Sequence, residues 1–315
     1  MKSRGFMKYK NFEKLVLISI LFFGFPFIFA FGQTSSAPIS FTKKEIAFFK
    51  WGSGEKETQW HSTRIQIDGN DNVYFFNGNG QILIVSSDGS AIKVIDGEKV
   101  KNICTVDAEG NIYTVDYEKK GVPVLIITKP GGSQTKYENF EFSHEENGIA
   151  YDVLNKTLAV TSNDDKPEKL PPYLLGNKNK PDYEMKGKNL FLFHMNKINK
   201  HLKKINRQLN VDSVQIKIPK KWNLSCAADF LGVDDNGNFY FLCGYGYGPH
   251  YADPWVEGHI KIYSASGVNI SEIKLDLNYV GEQVSDNELK LDIHGNIYQS
   301  WTSKDGLHIL KWLRN

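Results

Sequence analysis

The segment Gly244-Tyr-Gly-Tyr-Gly-Pro-His-Tyr-Ala-Asp-Pro-Trp255 gathers Tyr245, Tyr247, His250, Tyr251 and Trp255 into one short stretch. Aromatic side chains on a loop supply a large contact area at low entropic cost, so a stretch of this kind suits the binding of a ligand surface. Tyr173 and Tyr183 fall in a second irregular stretch, and Trp222 and Trp60 lie in connections between strand-like runs. All nine are candidate ligand-binding residues. The competing expectation is a lid, in which the same aromatics pack on one another over the mouth of a channel. The glycines of Gly244-x-Gly-x-Gly do not make a phosphate loop, because a helix must start after such glycines and Pro249-His250 lead into more loop.

A second chemistry would need acids and histidines gathered at one point. His61, Glu145, Glu146, Asp229 and Glu288 are the candidates for metal ligands or acid–base groups if the chain is an enzyme, yet no spacing selects them. No Gly-x-Ser-x-Gly elbow, His-Glu-x-x-His or paired-carboxylate motif is present. Asp68-x-Asn70-x-Asn72 has the first three ligand positions of a calcium loop but lacks the glycine at six and the distant glutamate, so it reads as a turn. No cofactor is expected.

The elements that must carry these residues come from a repeat. Asp68-Gly-Asn-Asp-Asn-Val-Tyr74, Asp107-Ala-Glu-Gly-Asn-Ile-Tyr113, Asp234-Asp-Asn-Gly-Asn-Phe-Tyr240 and Asp292-Ile-His-Gly-Asn-Ile-Tyr298 are four copies of one pattern, and a worn fifth runs from Asp152 to Val160. In each, alternating apolar residues lead in, Asp starts a tight turn, and Gly or Asp with Asn tolerates positive φ. A second hairpin follows, as in Ile82–Val94, Val124–Ser133 and Ile260–Val268. The unit is therefore a four-stranded meander. The Asp-to-Asp spacings are 39, 45, 82 and 58, and the two long ones contain the insertions 163–188 and 246–258. Four strands at this period predict an all-β chain, a β-propeller of about five four-stranded blades, with six if Glu184–Phe191 conceals another turn.

Phe49-Lys-Trp-Gly52, then Ile-Asp-x-x-x-Asn-Val-Tyr, then Ile-Leu-Ile-Val-Ser-Ser-Asp-Gly resembles the NHL-type propeller repeat over most of Phe48–Leu313. The resemblance implies the fold only. The Asp and Arg that such repeats place after the Tyr are absent, with Phe75-Phe76, Thr114-Val115 and Phe241-Leu242 in their place, so no family function carries over.

The last repeat ends three strands after Leu289, and Glu45–Trp51 is a strand with no sheet of its own, so it is expected to complete the last blade. Met195, Ile198, Leu202, Ile205 and Leu209 follow helix periodicity, but a hairpin of Leu190–His194 with Lys203–Leu209 keeps register with the other blades and is preferred. Both insertions are read as connections between second and third strands, rising from the end opposite the Asp turns.

Residues 1–32 combine a basic start, an apolar run from Leu15 to Phe31 and small residues Ala30 and Gly32 before Gln33, the plan of a signal peptide or an N-terminal anchor. Residues 33–44 read as a linker and 45–315 as the propeller. A secreted, periplasmic or cell-envelope location follows, without lipid attachment, since no Cys follows the apolar run. The formal charge of +2 falls to about −2 without the basic start, which leaves no footprint for nucleic acid. Cys104, Cys226 and Cys243 are an odd number with no zinc spacing and are expected as buried apolar residues, a Cys226–Cys243 bridge being disfavoured by diagonal placement. Together these features predict an exported, monomeric module that binds a protein, peptide or glycan through an aromatic loop face, with no membrane contact beyond the signal segment. The alternative is a propeller hydrolase, lactonase or lyase with a metal in the axial channel. Fold alone does not choose between them.

Overall fold

The computed structural model describes residues 38–59, 64–78, 80–96, 103–117, 123–137, 149–152, 157–160, 183–185, 190–196, 199, 202, 211–217, 219, 226–245, 257–276 and 288–315. The expected signal peptide lies outside the described residues.

The described chain is all-β. Strand β1 (Phe41–Lys50) is followed by β2 (Ile65–Ile67), β3 (Val73–Phe76), β4 (Gln81–Val85) and β5 (Ile92–Asp96), which form sheet I in that order. Sheet II repeats the meander with β6 (Ile103–Val106), β7 (Ile112–Tyr117), β8 (Pro123–Thr128) and β9 (Gln134–Tyr137). Sheet III pairs β10 (Ile149–Asp152) with β11 (Thr157–Val160), and sheet IV holds β12 (Tyr183–Met185), β13 (Leu190–His194) and β14 (Ser213–Lys217). Sheet V is β15 (Cys226–Val233), β16 (Phe239–Tyr245), β17 (Glu257–Tyr263) and β18 (Asn269–Leu275). Sheet VI contains β19 (Leu289–Leu291), β20 (Ile297–Thr302) and β21 (Gly306–Arg314), with β1 as its fourth strand. Each sheet is antiparallel and open; none closes on itself.

The pairing of β1 with β21, Phe41 opposite Arg314 through Lys50 opposite Gly306, places the N-terminal strand where the sequence leads one to expect it. Among the described residues there are six sheets, the alternative count kept for this segment, because Tyr183–Met185 pairs antiparallel with Phe191–Phe193. The first insertion therefore joins β11 to β12, two different sheets. β13 pairs with Ser213–Lys217 and helix is present at Asn196, Asn199 and Leu202, while Lys203–Leu209 of the expected hairpin lies outside the described residues. The Asn199 N–H donates to the Met195 carbonyl at 2.8 Å, one helical turn away, and Met195 and Leu202 are both buried. The helix period outweighed register because it turned both side chains onto the core of sheets IV and V.

The Asp turns show why the repeat needs these residue types. Asp68 Oδ1 accepts from the Asn70 and Asn72 N–H groups at 2.8 and 2.9 Å, while Oδ2 accepts from the Asn72 side-chain amide and the Tyr74 hydroxyl, both at 2.8 Å. All four lone-pair positions of the carboxylate are then used inside the turn, so it has no capacity for calcium. Asp107 and Asp234 are bound in the same way, each by the Asn four residues on and the Tyr six residues on. The fourth turn position takes positive φ, +80° at Gly110, +77° at Gly237 and +87° at Gly295, which suits glycine.

Neighbouring sheets pack face to face, which explains apolar runs such as Phe239–Tyr245, every residue of which is buried. Sheet IV packs on V through Phe193, Ile216 and Phe241, and V on VI through Ile260, Leu275 and Ile297. Sheet VI packs on I through Tyr298, Ile309 and Phe75, and I on II through Tyr74, Ile82 and Ile112. First strands also touch in succession: β2 meets β6, β6 meets β10, β15 meets β19, and β19 meets β2.

Candidate functional site

The Asp turns fix which end of each sheet is which. The Gly69 N–H donates to the Ala108 carbonyl, and the Asp235 N–H to the Ile293 carbonyl, so adjacent turns are bonded side by side at one end. The connection 246–256 leaves sheet V at the other end. Its foot is the register pair Tyr245 and Glu257, the last residue of β16 and the first of β17.

Beneath that foot lies a network of charged side chains facing sheet IV. Glu257, His259 and Lys261 alternate along β17 and so share one face, where Glu272 and Lys274 of β18 oppose Lys261 and His259. His259 Nδ1 is 2.8 Å from Glu272 Oε1, and its Nε2 is 3.2 Å from Glu257 Oε2. Lys261 is buried, 8% exposed, with Nζ 3.7 Å from Glu272 Oε2 and donating to the Lys217 carbonyl of sheet IV at 3.2 Å. Lys274 closes the set at 3.5 Å from Glu257 Oε1. Contact with His259, then the nearby charge of Lys261, holds the Glu272 carboxyl below its usual range despite partial burial. Each glutamate thus has imidazole on one oxygen and ammonium on the other, so the network balances its own charge and presents no open cation site. The network forms a floor at the strand ends from which the connection departs.

Tyr245 belongs to this floor, contrary to its expected place on an exposed loop. Strand β16 runs through it, it is 1% exposed, and its ring centroid lies 5.0 Å from that of His259 and 5.8 Å from Lys261 Nζ. Tyr183 is in β12. Tyr247, His250, Tyr251, Trp255, Tyr173, Trp222 and Trp60 lie outside the described residues, as do His61, Glu145 and Glu146. Asp229 is buried on β15 and Glu288 immediately precedes β19, on two strands that touch. Among the described residues no group of three or more His, Cys, Asp or Glu is arranged to hold a metal. Cys243 is buried and makes no disulfide, so the Cys226–Cys243 bridge is not made.

One aromatic feature escaped the sequence. Phe48 of β1, His308 of β21 and Trp301 of β20 are direct cross-strand neighbours, with ring centroids 4.7 Å apart for Phe48 and His308 and 4.5 Å for Trp301 and His308. His308 is held by Glu45 Oε2 at 2.6 Å and Ser303 Oγ at 2.9 Å, while Phe48 stays 38% exposed. The row sits at the end of β20 away from its Asp turn, the same end at which residues 246–256 leave sheet V. Alternation of Trp301 and His308 with buried neighbours in their strands was the available signal; the register that joins them to Phe48 was not.

These features define an all-β protein of packed antiparallel meanders with one regular end and one irregular, charged and aromatic end. No family model matches the sequence, and no curated protein matches it. Among solved structures, a member of the DUF4221 family from Bacteroides vulgatus is similar at 10% identity and a TM-score of 0.46, covering 88% of this chain and 99% of that one. The tail fiber of Staphylococcus aureus phage P68 is similar at 13% identity and a TM-score of 0.26, covering 95% of this chain and 56% of that one. An oligogalacturonate lyase in complex with manganese reaches 8% identity and a TM-score of 0.18, covering 88% of this chain and 98% of that one. Likenesses this loose carry no argument about function.

Proposed function

We propose that the six sheets are blades of a β-propeller and that the chain is an exported binding module, using the end opposite the Asp turns to hold a protein, peptide or glycan. The observation that carries the propeller reading is a relation repeated between sheets. A Cβ at Gly110 of sheet II would meet the Tyr74 hydroxyl of sheet I at 2.6 Å, and one at Gly295 of sheet VI would meet the Tyr240 hydroxyl of sheet V at 2.5 Å. Asp71 is the matching position of sheet I, and its carboxylate lies toward Tyr298 of sheet VI. The relation that joins I to II and V to VI thus joins the last sheet to the first, as a ring requires. Closure of sheet VI by β1 fits the same reading.

The binding reading rests on what the two ends offer. At the Asp end, turn carboxylates are consumed by their own turns. At the other, Phe48, His308 and Trp301 form a partly exposed row beside the exit of a segment containing Tyr247, His250, Tyr251 and Trp255. Trp60, Trp222, Tyr173 and Tyr183 are further candidate contacts, while Tyr245 supports the floor instead. The test is binding of the purified protein to arrays of polysaccharides and of peptides, with a Y247A/Y251A/W255A variant alongside. The reading expects at least one class of hit that the variant loses. Hits retained by the variant, or none for the wild type, would contradict it.

The channel enzyme is the second reading, favoured by the buried carboxylates of Asp229 on β15 and Glu288 just before β19, two strands that touch. A stoichiometric divalent metal that survives dialysis and is lost in D229N would support it over the binding module.

A further inference from the structure

Glu45, His308 and Ser303 follow one another by hydrogen bonds at the irregular end of sheet VI, as carboxylate, imidazole and hydroxyl. We propose that they form an acyl-transfer site that cleaves carboxylic esters, with Ser303 as nucleophile, His308 as general base and Glu45 as the carboxylate that orients it.

His308 is held at both ring nitrogens, Nδ1 lying 2.6 Å from Glu45 Oε2 and Nε2 lying 2.9 Å from Ser303 Oγ. An ionised carboxylate only accepts, so the ring proton belongs on Nδ1, and Nε2 of the neutral imidazole accepts from the Ser303 hydroxyl. A serine nucleophile requires that tautomer. Such a constellation is recognised by geometry and roles, not by chain order. Strand pairing assembles it here: Glu45 lies on β1, His308 on the adjacent β21, and Ser303 opens the turn from β20 to β21.

The hydroxyl is aimed at the imidazole. It accepts from the Asp305 N–H at 3.1 Å, and the other acceptor within its reach, the Gly306 carbonyl, is 3.4 Å away. The backbone beneath it is fixed, because the Ser303 N–H donates to the Gly306 carbonyl at 2.8 Å and the Trp51 indole donates to the Ser303 carbonyl at 3.2 Å. Phe48 and Trp301 flank the imidazole across the strands, at centroid distances of 4.7 and 4.5 Å. A Cβ at Gly306 would meet the Phe48 ring at 2.8 Å, so that ring lies against the turn that bears Ser303. Its exposed part is an apolar wall on which an acyl group can rest. The exposed Lys304 offers its N–H, one residue beyond the nucleophile, to a developing oxyanion.

In the reaction Ser303 Oγ bonds to the ester carbonyl carbon while its proton passes to His308 Nε2, and Glu45 stabilises the imidazolium. The carbon–alkoxy bond then breaks, the alkoxide takes that proton from Nε2, and the acyl group stays on Ser303. Water attacks the acyl carbon and gives a proton to Nε2. Release of Ser303, which recovers that proton, leaves a carboxylic acid and an alcohol. The site stands on these contacts whether or not residues 246–256 bind a larger ligand.

The test treats the purified protein with a fluorophosphonate, locates the adduct by peptide mass spectrometry, and follows hydrolysis of 4-nitrophenyl acetate and butyrate. An adduct at Ser303 is expected, with ester hydrolysis abolished in S303A and labelling of Ser303 slowed ~100-fold or more in H308N and in E45Q. No adduct at Ser303 in the wild type, or labelling as fast in H308N, would overturn the site: Ser303 would then only cap its turn, and His308 and Glu45 would only pair β21 with β1. The wild-type adduct gives its answer whether or not the variants fold.

Discussion

The two ends of the sheets differ in how their polar groups are used. At the Asp end the same four bonds recur in sheets I, II and V and three of them in sheet VI, and neighbouring turns are tied to each other by backbone bonds such as Gly69 to Ala108. At the opposite end the described residues differ from sheet to sheet: sheet V carries a charged network at the foot of a long connection, and sheet VI carries an aromatic row beside a short one. A ring of meanders needs each turn to fit its neighbour, which constrains one end in every sheet. The other end is free to vary, and residues suited to binding have room to collect there.

The contrast can be strained in order of expected effect. Asp234→Ala should cost the most, about 3–5 kcal/mol by urea denaturation, because the buried carboxylate accepts from two backbone N–H groups, Asn238, Tyr240 and Arg314. Gly295→Ala should cost about 2–3 kcal/mol, since a Cβ there meets the Tyr240 hydroxyl at 2.5 Å and φ is +87°. Gly132→Ala, with the same φ and nothing within 4 Å, should cost only about 1 kcal/mol and so separates strain from crowding. At the other end, Glu272→Gln should cost less than about 1 kcal/mol, for the group is 40% exposed and screened. Its sign with pH is fixed by a carboxyl held low in the fold: the contribution is present above the ordinary glutamate range and is lost as pH falls through the lowered value.

Much of this was legible in the sequence where chemistry is local. Asp, Asn and Tyr at fixed offsets dictate the turn because all the bonds lie within six residues. The place of β1 followed from a missing partner for β21. The sixth sheet was hidden because the turn between β12 and β13 lacks the Asp signature, and the crossing after His194 turned helical because Met195 and Leu202 reach a core that only tertiary packing supplies. Tyr245 was misplaced by its neighbours in sequence: strand β16 extends through the first aromatic of the stretch. The Phe48–His308–Trp301 row depends on register between strands far apart in the chain, which no local spacing encodes, whereas the His259 network lies across the β17–β18 hairpin. Asp71 was visible as an exception among glycines, but its ion-pair partner Lys311 is 240 residues further along the chain (311 − 71), beyond the reach of any local spacing.

The division of labour between the two ends is tested most directly by replacing residues 246–256 with a tight Asn-Gly turn between Tyr245 and Glu257 and measuring thermal unfolding beside Asp234→Ala. The account expects the replacement to shift the midpoint by less than about 3 °C, while Asp234→Ala lowers it by roughly 6–15 °C. A loss for the loop replacement as large as that for Asp234→Ala would mean that the insertion helps to hold the fold, and the separation of scaffold from binding end would be wrong.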